Sequence, residues 1–203
     1  MLKKRLVLSG KENPNFIGSW MIHRDQLCDQ IVAYFDANTS KQSSGVTGSG
    51  VLDRNAKDRI DISIFPRDFR EDSSSIFYKY FEILSECLQD YGQQWPFLKD
   101  TLKVLDTRSF NIGKYNEGQH FGRIHTERGF TSMDREFAYM TYLSDDFEGG
   151  STYFSHYDLD IVPQKGLTLI WPAMWTHAHK GNVIKKGNKY ILTGWLNLVP
   201  PQG

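Results

Sequence analysis

In the segment HTE, His125 and Glu127 stand two residues apart. On an extended strand such residues point to one side, so the pair can grip a single ion. A second histidine must arrive from elsewhere. His179, on a later strand-like run, can complete the face, and His177 alternates onto the same side as His179. Two histidines and one carboxylate on one face of an octahedral iron(II) leave three positions open, as binding a chelating keto acid and then dioxygen demands. The same ligands also suit zinc and water activation, so a non-redox metal hydrolase is a rival reading.

Two other pairs share the one-residue gap, HRD at 23–25 and HYD at 156–158. His23 and Asp25 open an expected helix, where residues two apart diverge. His156 and Asp158 leave too short a stretch before His179 to wind through several strands and return opposite it. The stretch between His125 and His179 has room for three or four short strands, which suits a return to the facing strand. His120 is read as loop or rim.

The elements that must position these groups fall into two textures. MIHRDQLCDQIVAYFDAN places Leu27, Ile31, Tyr34 and Phe35 at helical spacing, predicting a helix from about 22 to 37. A second helical pattern puts Tyr80, Leu84, Cys87, Leu88 and Tyr91 on one face, with Ser73–Ser75 as N-cap and Gly92 as a stop. Between them SKQSSGVTGSG, residues 40–50, reads as a mobile Gly/Ser loop. RIDISIF then alternates Ile60, Ile62 and Ile64 with polar residues, as a half-buried strand does. From about residue 101 onward short strand-like runs follow: TLKVLDTRSFNIGKY, EFAYMTYL, STYF, DIVP, LTLIW and KYILTGWLNL. The expected fold is mainly β with flanking helices. Residues 1–100 are helical support and mobile loop, and 101–203 form the core of one domain spanning 1–203.

Lysines plus arginines equal aspartates plus glutamates, 24 of each, so no net field draws the chain to nucleic acid. No apolar run is long enough to cross a bilayer, and MLKKRLVLSGKENP does not fit a signal peptide. Cys28 and Cys87 are too few for a disulfide framework, so a cytoplasmic setting is expected.

Several further motifs occur in order. Tyr115 and Gly118 precede His125; Tyr142 and Leu143 follow, then GGSTYF at 149–154 and PQKG at 163–166. HKGNVIKKGNKYILTGW closes the series with His179, Gly181, Val183, Gly187, Lys189, Tyr190 and Trp195. From about 111 to 198, a little under half the chain, this series resembles the prolyl 4-hydroxylase-like branch of the Fe(II)/2-oxoglutarate-dependent dioxygenases.

The resemblance implies a double-stranded β-helix, or jelly roll, with the N-terminal helices packed on one sheet. It implies Fe(II), 2-oxoglutarate and O2 as cofactors, with ascorbate a candidate, and His125, Glu127 and His179 as metal ligands. Only His179, not His177, sets the glycine and Lys189 at the family's distances. Lys189 becomes the cation for the distal carboxylate of 2-oxoglutarate, and alternation sets Lys189, Ile191, Thr193 and Trp195 on one strand face. Tyr142 is implied as a second donor to that carboxylate, and Tyr115 as a donor nearby. The expected reaction hydroxylates an unactivated carbon, most naturally a prolyl residue in a peptide or protein, and releases succinate and CO2. A small molecule or free amino acid is the alternative substrate, and a jelly-roll binding module without turnover a third reading. This chain departs from the family in Glu127, where aspartate is usual; a carboxylate is retained, which argues for hydroxylation and against halogenation. Substrate choice is expected from the Gly/Ser loop and from ERGFTSMDRE, where Arg128, Arg135 and Glu136 can meet a polar substrate.

Overall fold

A computed structural model describes residues 4–5, 14–47 and 50–199. Most of the basic opening stretch and residues 48–49 of the Gly/Ser segment lie outside the described residues. In chain order the elements are β1 (Lys4–Arg5), β2 (Gly18–Met21), α1 (Asp25–Ala37), β3 (Ser43–Ser44), β4 (Ile60–Ile64), α2 (Ile76–Gln94) and α3 (Lys99–Lys103). Then come β5 (Leu105–Thr107), β6 (Phe110–Tyr115), β7 (Phe121–His125), β8 (Arg135–Tyr142), β9 (Glu148–Gly149), β10 (Thr152–Phe154) and β11 (Leu159–Ile161). The last are β12 (Leu167–Pro172), β13 (His179–Gly181), β14 (Ile184–Lys186) and β15 (Lys189–Leu198).

The strands form an antiparallel jelly roll. The larger sheet runs β1-β2-β12-β8-β15-β6-β4-β3, with β5 joined to β15. The smaller sheet runs β11-β10-β13-β7, and β14 pairs with β9.

Alternation along β8 and β15 divides the interior in two. Phe137 and Tyr139 of β8, with Tyr190, Leu192 and Leu196 of β15, face one side. There they meet Leu27, Ile31 and Phe35 of α1 and Phe77, Tyr80, Leu84 and Tyr91 of α2, so the apolar stripe of each helix is buried on one sheet, as expected. The alternate residues, Ala138, Met140, Tyr142 and Ile191, pack between the two sheets with Phe154, Leu169 and Trp171.

Four details differ from the sequence expectation. Helix α1 starts at Asp25, because His23 sits in the left-handed region at φ 43° and cannot continue a helical turn. Ser75 caps α2, its hydroxyl accepting from Phe77 N at 3.2 Å, but Gly92 does not end the helix. A Cβ at 92 would stand 2.4 Å from Leu102 Cδ1, so this glycine makes room for the chain returning through α3. Residues 99–103 are accordingly helical, and the strand texture begins at Leu105. The Gly/Ser segment is partly a strand: Ser43 and Ser44 pair with Asp61 and Ile60, and Gly45 N donates to Arg59 O at 2.8 Å.

Gly194 is a tight point on the sheet face that packs against the helices. A Cβ there would lie 2.3 Å from Tyr139 Oη and 2.8 Å from Phe110 Cβ, and both residues are fully buried. Gly194→Ala is expected to destabilise the fold by roughly 3 kcal/mol through overpacking. Urea unfolding followed by far-UV circular dichroism checks this; an unchanged midpoint would mean that this packing yields.

Candidate active site

Strands β7 and β13 lie side by side in the smaller sheet with His125 opposite His179, and the two imidazole centroids are 4.5 Å apart. Glu127 is not on the strand. Strand β7 ends at His125, and the carboxylate returns from the following turn, whose Thr126 hydroxyl donates to Arg128 O at 2.9 Å. One ligand atom from each of the three residues lies within 4.8 Å of the others, and this is the only such group among the described residues. Glu127 Oε1 is 3.4 Å from His179 Nε2 and 3.9 Å from His125 Nε2.

The chain also sets the tautomers. Nδ1 of His125 lies 2.8 Å from Arg123 O, and Nδ1 of His179 lies 2.9 Å from His177 O. Each carbonyl accepts the Nδ1 proton, leaving the Nε2 lone pair free to face Glu127. Burial, then the neighbouring His179, pushes His125 down to about 4. Burial alone would raise Glu127, but the adjoining His179, then His125 and the Trp195 donor outweigh it and hold the carboxyl well below the usual range. Two imidazoles and a carboxylate converging on one point fit a divalent cation with open positions.

Trp195 and Arg135 brace the carboxylate. Trp195 Nε1 donates to Glu127 Oε2 at 2.7 Å. The Arg135 guanidinium lies 3.6 Å from the indole centroid and donates to Glu127 O at 3.0 Å. Arg135, read from sequence as a group that meets substrate, is thus tied to Glu127 and Trp195. Arg128 is similarly tied to Glu136 at 2.6 Å.

Lys189 is buried, and its Nζ donates to Gly150 O at 2.6 Å. The rings of Tyr142 and Tyr115 flank it at 5.1 and 5.3 Å. Burial and then the Arg59 charge push this ammonium down to about 7. Tyr142 Oη and Thr152 Oγ1 are 2.6 Å apart, while Tyr115 Oη accepts from Arg59 Nη1 at 2.9 Å. Lys189, Ile191, Thr193 and Trp195 line the same cleft as the triad, about 810 Å³ in volume. Tyr115 and Thr152 line it too. A separate groove of about 480 Å³ along α2 holds none of these groups.

The remaining histidines lie elsewhere. His177 is buried with Nε2 2.9 Å from Asn15 O, and His120 Nδ1 accepts from Gly122 N. Neither belongs to the triad, nor do His23 and His156. What sequence reasoning missed is the polar face of β4 and the residues before it. Lys57, Arg59 and Asp61, alternate to Ile60, Ile62 and Ile64, are buried in the cleft rather than solvated. Three charges of mixed sign at a spacing of two were the available signal.

The sequence model of the 2OG-Fe(II) oxygenase superfamily matches residues 110–197, the stretch that carries the triad and Lys189. The matched stretch, a little under half of the chain, resembles a 2OG-Fe(II) oxygenase domain. Among solved structures the chain is similar to a Pseudomonas putida prolyl-4-hydroxylase, at TM-score 0.68 and 13% identity, over 91% of this chain and 93% of that one. It is similar also to a prolyl hydroxylase from Trichoplax adhaerens in complex with a hypoxia inducible factor oxygen degradation domain peptide fragment. That match has TM-score 0.68 and 12% identity, over 91% of this chain and 84% of that one. At these identities the likeness is one of fold. Human procollagen-lysine,2-oxoglutarate 5-dioxygenase 2 is 34% identical over 56 residues, 27% of this chain but only 8% of that protein's length.

Trp195→Phe keeps the ring and removes the donor to Glu127. Affinity for Mn(II), titrated calorimetrically without cosubstrate, is expected to fall about tenfold or more; unaltered affinity would show that Glu127 holds its orientation unaided.

Proposed function

We propose that this chain is an Fe(II)- and 2-oxoglutarate-dependent hydroxylase of a prolyl residue in a peptide or protein, with His125, Glu127 and His179 as metal ligands. The observation that carries the cosubstrate assignment is Lys189: a buried cation without a carboxylate partner among the described residues, in the same cleft as a three-ligand metal set. An uncompensated buried ammonium costs several kcal/mol, so the position makes sense as half of a pair completed by a bound carboxylate. A zinc hydrolase would leave Lys189 without a task.

When bound, iron(II) would activate O2, the oxidant that converts 2-oxoglutarate to succinate and CO2 and hydroxylates a substrate carbon. The chain's residues do the placing. Lys189 binds the distal carboxylate, with the hydroxyls of Thr152, Tyr142 and Tyr115 around it. Trp195 and Arg135 hold Glu127 in orientation. Phe121, Met140, Trp171 and Ile191 line the cleft and limit the water that reaches the metal. The prolyl assignment is supported by the two prolyl hydroxylases of similar fold, one of them holding a peptide. A cytoplasmic setting, where the buried free thiols Cys28 and Cys87 stay reduced, belongs to the same proposal.

Adding 2-oxoglutarate to the Fe(II)-loaded protein without oxygen is expected to give a weak visible charge-transfer band, absent in His179→Ala. In Lys189→Ala the cosubstrate concentration needed should rise about a hundredfold. No band in folded, metal-loaded protein would overturn the reading.

Lys189 also sets a pH dependence. Its folded pKa is depressed to about 7, so the free site loses its positive charge as pH rises through that value. Binding a dianion restores the proton. Above pH 7, 2-oxoglutarate affinity should therefore fall by up to about tenfold per unit, with proton uptake visible as a buffer-dependent calorimetric enthalpy. Affinity flat from pH 7 to 9 would remove Lys189 from this role.

A further inference from the structure

The whole chain is charge-balanced, but the cleft is not. Among the described residues lining it, the five cations Lys57, Arg59, Arg123, Arg135 and Lys189 face two carboxylates, Asp61 and Glu127. A divalent metal ion and a 2-oxoglutarate dianion would cancel each other, leaving an excess of three positive charges. Lys189 is assigned to the cosubstrate, and Arg135 braces Glu127. The excess that nothing yet uses lies with Lys57, Arg59 and Arg123.

Lys57, Arg59 and Asp61 make a built site. Arg59 Nε is 2.7 Å from Asp61 Oδ1, a charge contact whose angle falls outside hydrogen bonding, and Lys57 Nζ is 3.2 Å from Asp61 Oδ2. All three residues are more than nine-tenths buried. Bare glycines enclose them from two sides. A Cβ at Gly45 would stand 2.9 Å from Asp61 Oδ2 and 3.0 Å from Lys57 Cε, and one at Gly113 would stand 3.1 Å from Asp61 Oδ1 and 3.2 Å from Arg59 Cζ. The group carries one net positive charge. Burial, then Arg59, pushes Lys57 down to about 8, a strain that a further anion would relieve.

Its place in the cleft is defined on both sides. Lys57 Nζ lies 5.5 Å from the Phe121 ring centroid, and that ring stacks on His125 at 3.7 Å. Arg59 Nη1 donates to Tyr115, whose ring is the neighbour of Lys189. The group therefore borders the cleft beside both the Phe121–His125 stack and the Tyr115 ring. Arg123, exposed on β7 and without an ion pair among the described residues, extends the positive field to the mouth.

We infer that Lys57, Arg59 and Asp61, with Arg123 at the mouth, form a subsite for a carboxylate of the substrate, so that the oxygenase selects an anionic substrate. This rests on the hydroxylase reading above. The carboxylate comes either from an acidic side chain beside the target residue of a peptide or from a free amino acid, and the test separates these sources.

The test measures fluorescence anisotropy of short fluorescein-labelled peptides with a central proline. The flanking residues are glutamate in one and glutamine in the other, and the protein carries Mn(II) and 2-oxoglutarate without oxygen. The glutamate peptide is expected to bind about tenfold tighter than the glutamine peptide, the preference shrinking with added salt. In Lys57→Met and in Arg123→Gln it should fall to twofold or less, while Lys57→Arg retains it. A merely structural role would weaken both peptides equally and leave their ratio unmoved. In a second arm, free proline and glutamate are compared with their amides as competitors of the glutamine peptide. A Lys57-dependent preference confined to the free acids supports the subsite with a small-molecule source. No charge preference in either arm, or one that survives both neutral variants, overturns the subsite. Succinate formation by the Fe(II) protein is measured separately. Its absence would overturn the hydroxylase reading, and its presence without charge preference would overturn only the subsite.

Discussion

The site depends above all on the register between β7 and β13. With His125 opposite His179, two imidazoles from distant parts of the chain stand on one face at contact distance, and backbone carbonyls two residues before each hold their Nδ1 protons. Side chains alternate along a strand, so a slip of one residue would turn one imidazole to the opposite face and scatter the ligand set. The irregular pairing after His179, where Gly181 meets Phe121, lets the strand leave that register without disturbing it. Phe121 is then free to lie flat on His125.

The larger sheet supplies what the smaller one lacks. Strand β15 is paired to β8 on one side and to β6 on the other, so its backbone is held throughout. One of its faces is committed to the helices through Tyr190, Leu192 and Leu196. The opposite face therefore holds Lys189 and Trp195 at fixed height, one donating to Gly150 O and one to Glu127. Glu127 needs that help. It is a methylene longer than aspartate and sits in a turn, so its carboxylate is localised by Trp195 Nε1 and the Arg135 stack rather than by its own backbone.

Burial and charge act together across the cleft. Its cations outnumber its carboxylates, and desolvation strengthens every interaction among them. Lys189 and Lys57 have depressed pKa values because each lies near Arg59 in a poorly solvated place. Such arrangements favour ligands of opposite sign over tight packing, which fits a surface built to receive carboxylates. The smaller polar groups of the neighbouring strands, Ser63 and Asn111, which are hydrogen-bonded at 2.8 Å, continue the same surface outward.

Much of this was legible from local pattern. Period-two alternation marked Lys189, Ile191, Thr193 and Trp195 as one face, helical periodicity marked the stripes of α1 and α2, and the one-residue gap of HTE marked the metal pair. Such signals survive because they depend only on the geometry of a single element. The triple Lys57, Arg59 and Asp61 was not legible for the same reason: alternation says that these residues oppose Ile60, Ile62 and Ile64, but not whether the opposite side meets water or another sheet. Gly92 reads as a stop until Leu102 arrives beside it, and Arg135 reads as a group that meets substrate until Trp195 comes beneath it. By itself the amino-acid sequence determined which residues share a face and which bear the chemistry. Only the tertiary structure decided which faces meet, because burial, ion pairing and the position of Glu127 beyond its strand come from contacts between segments far apart in the chain, whose closure no local periodicity encodes.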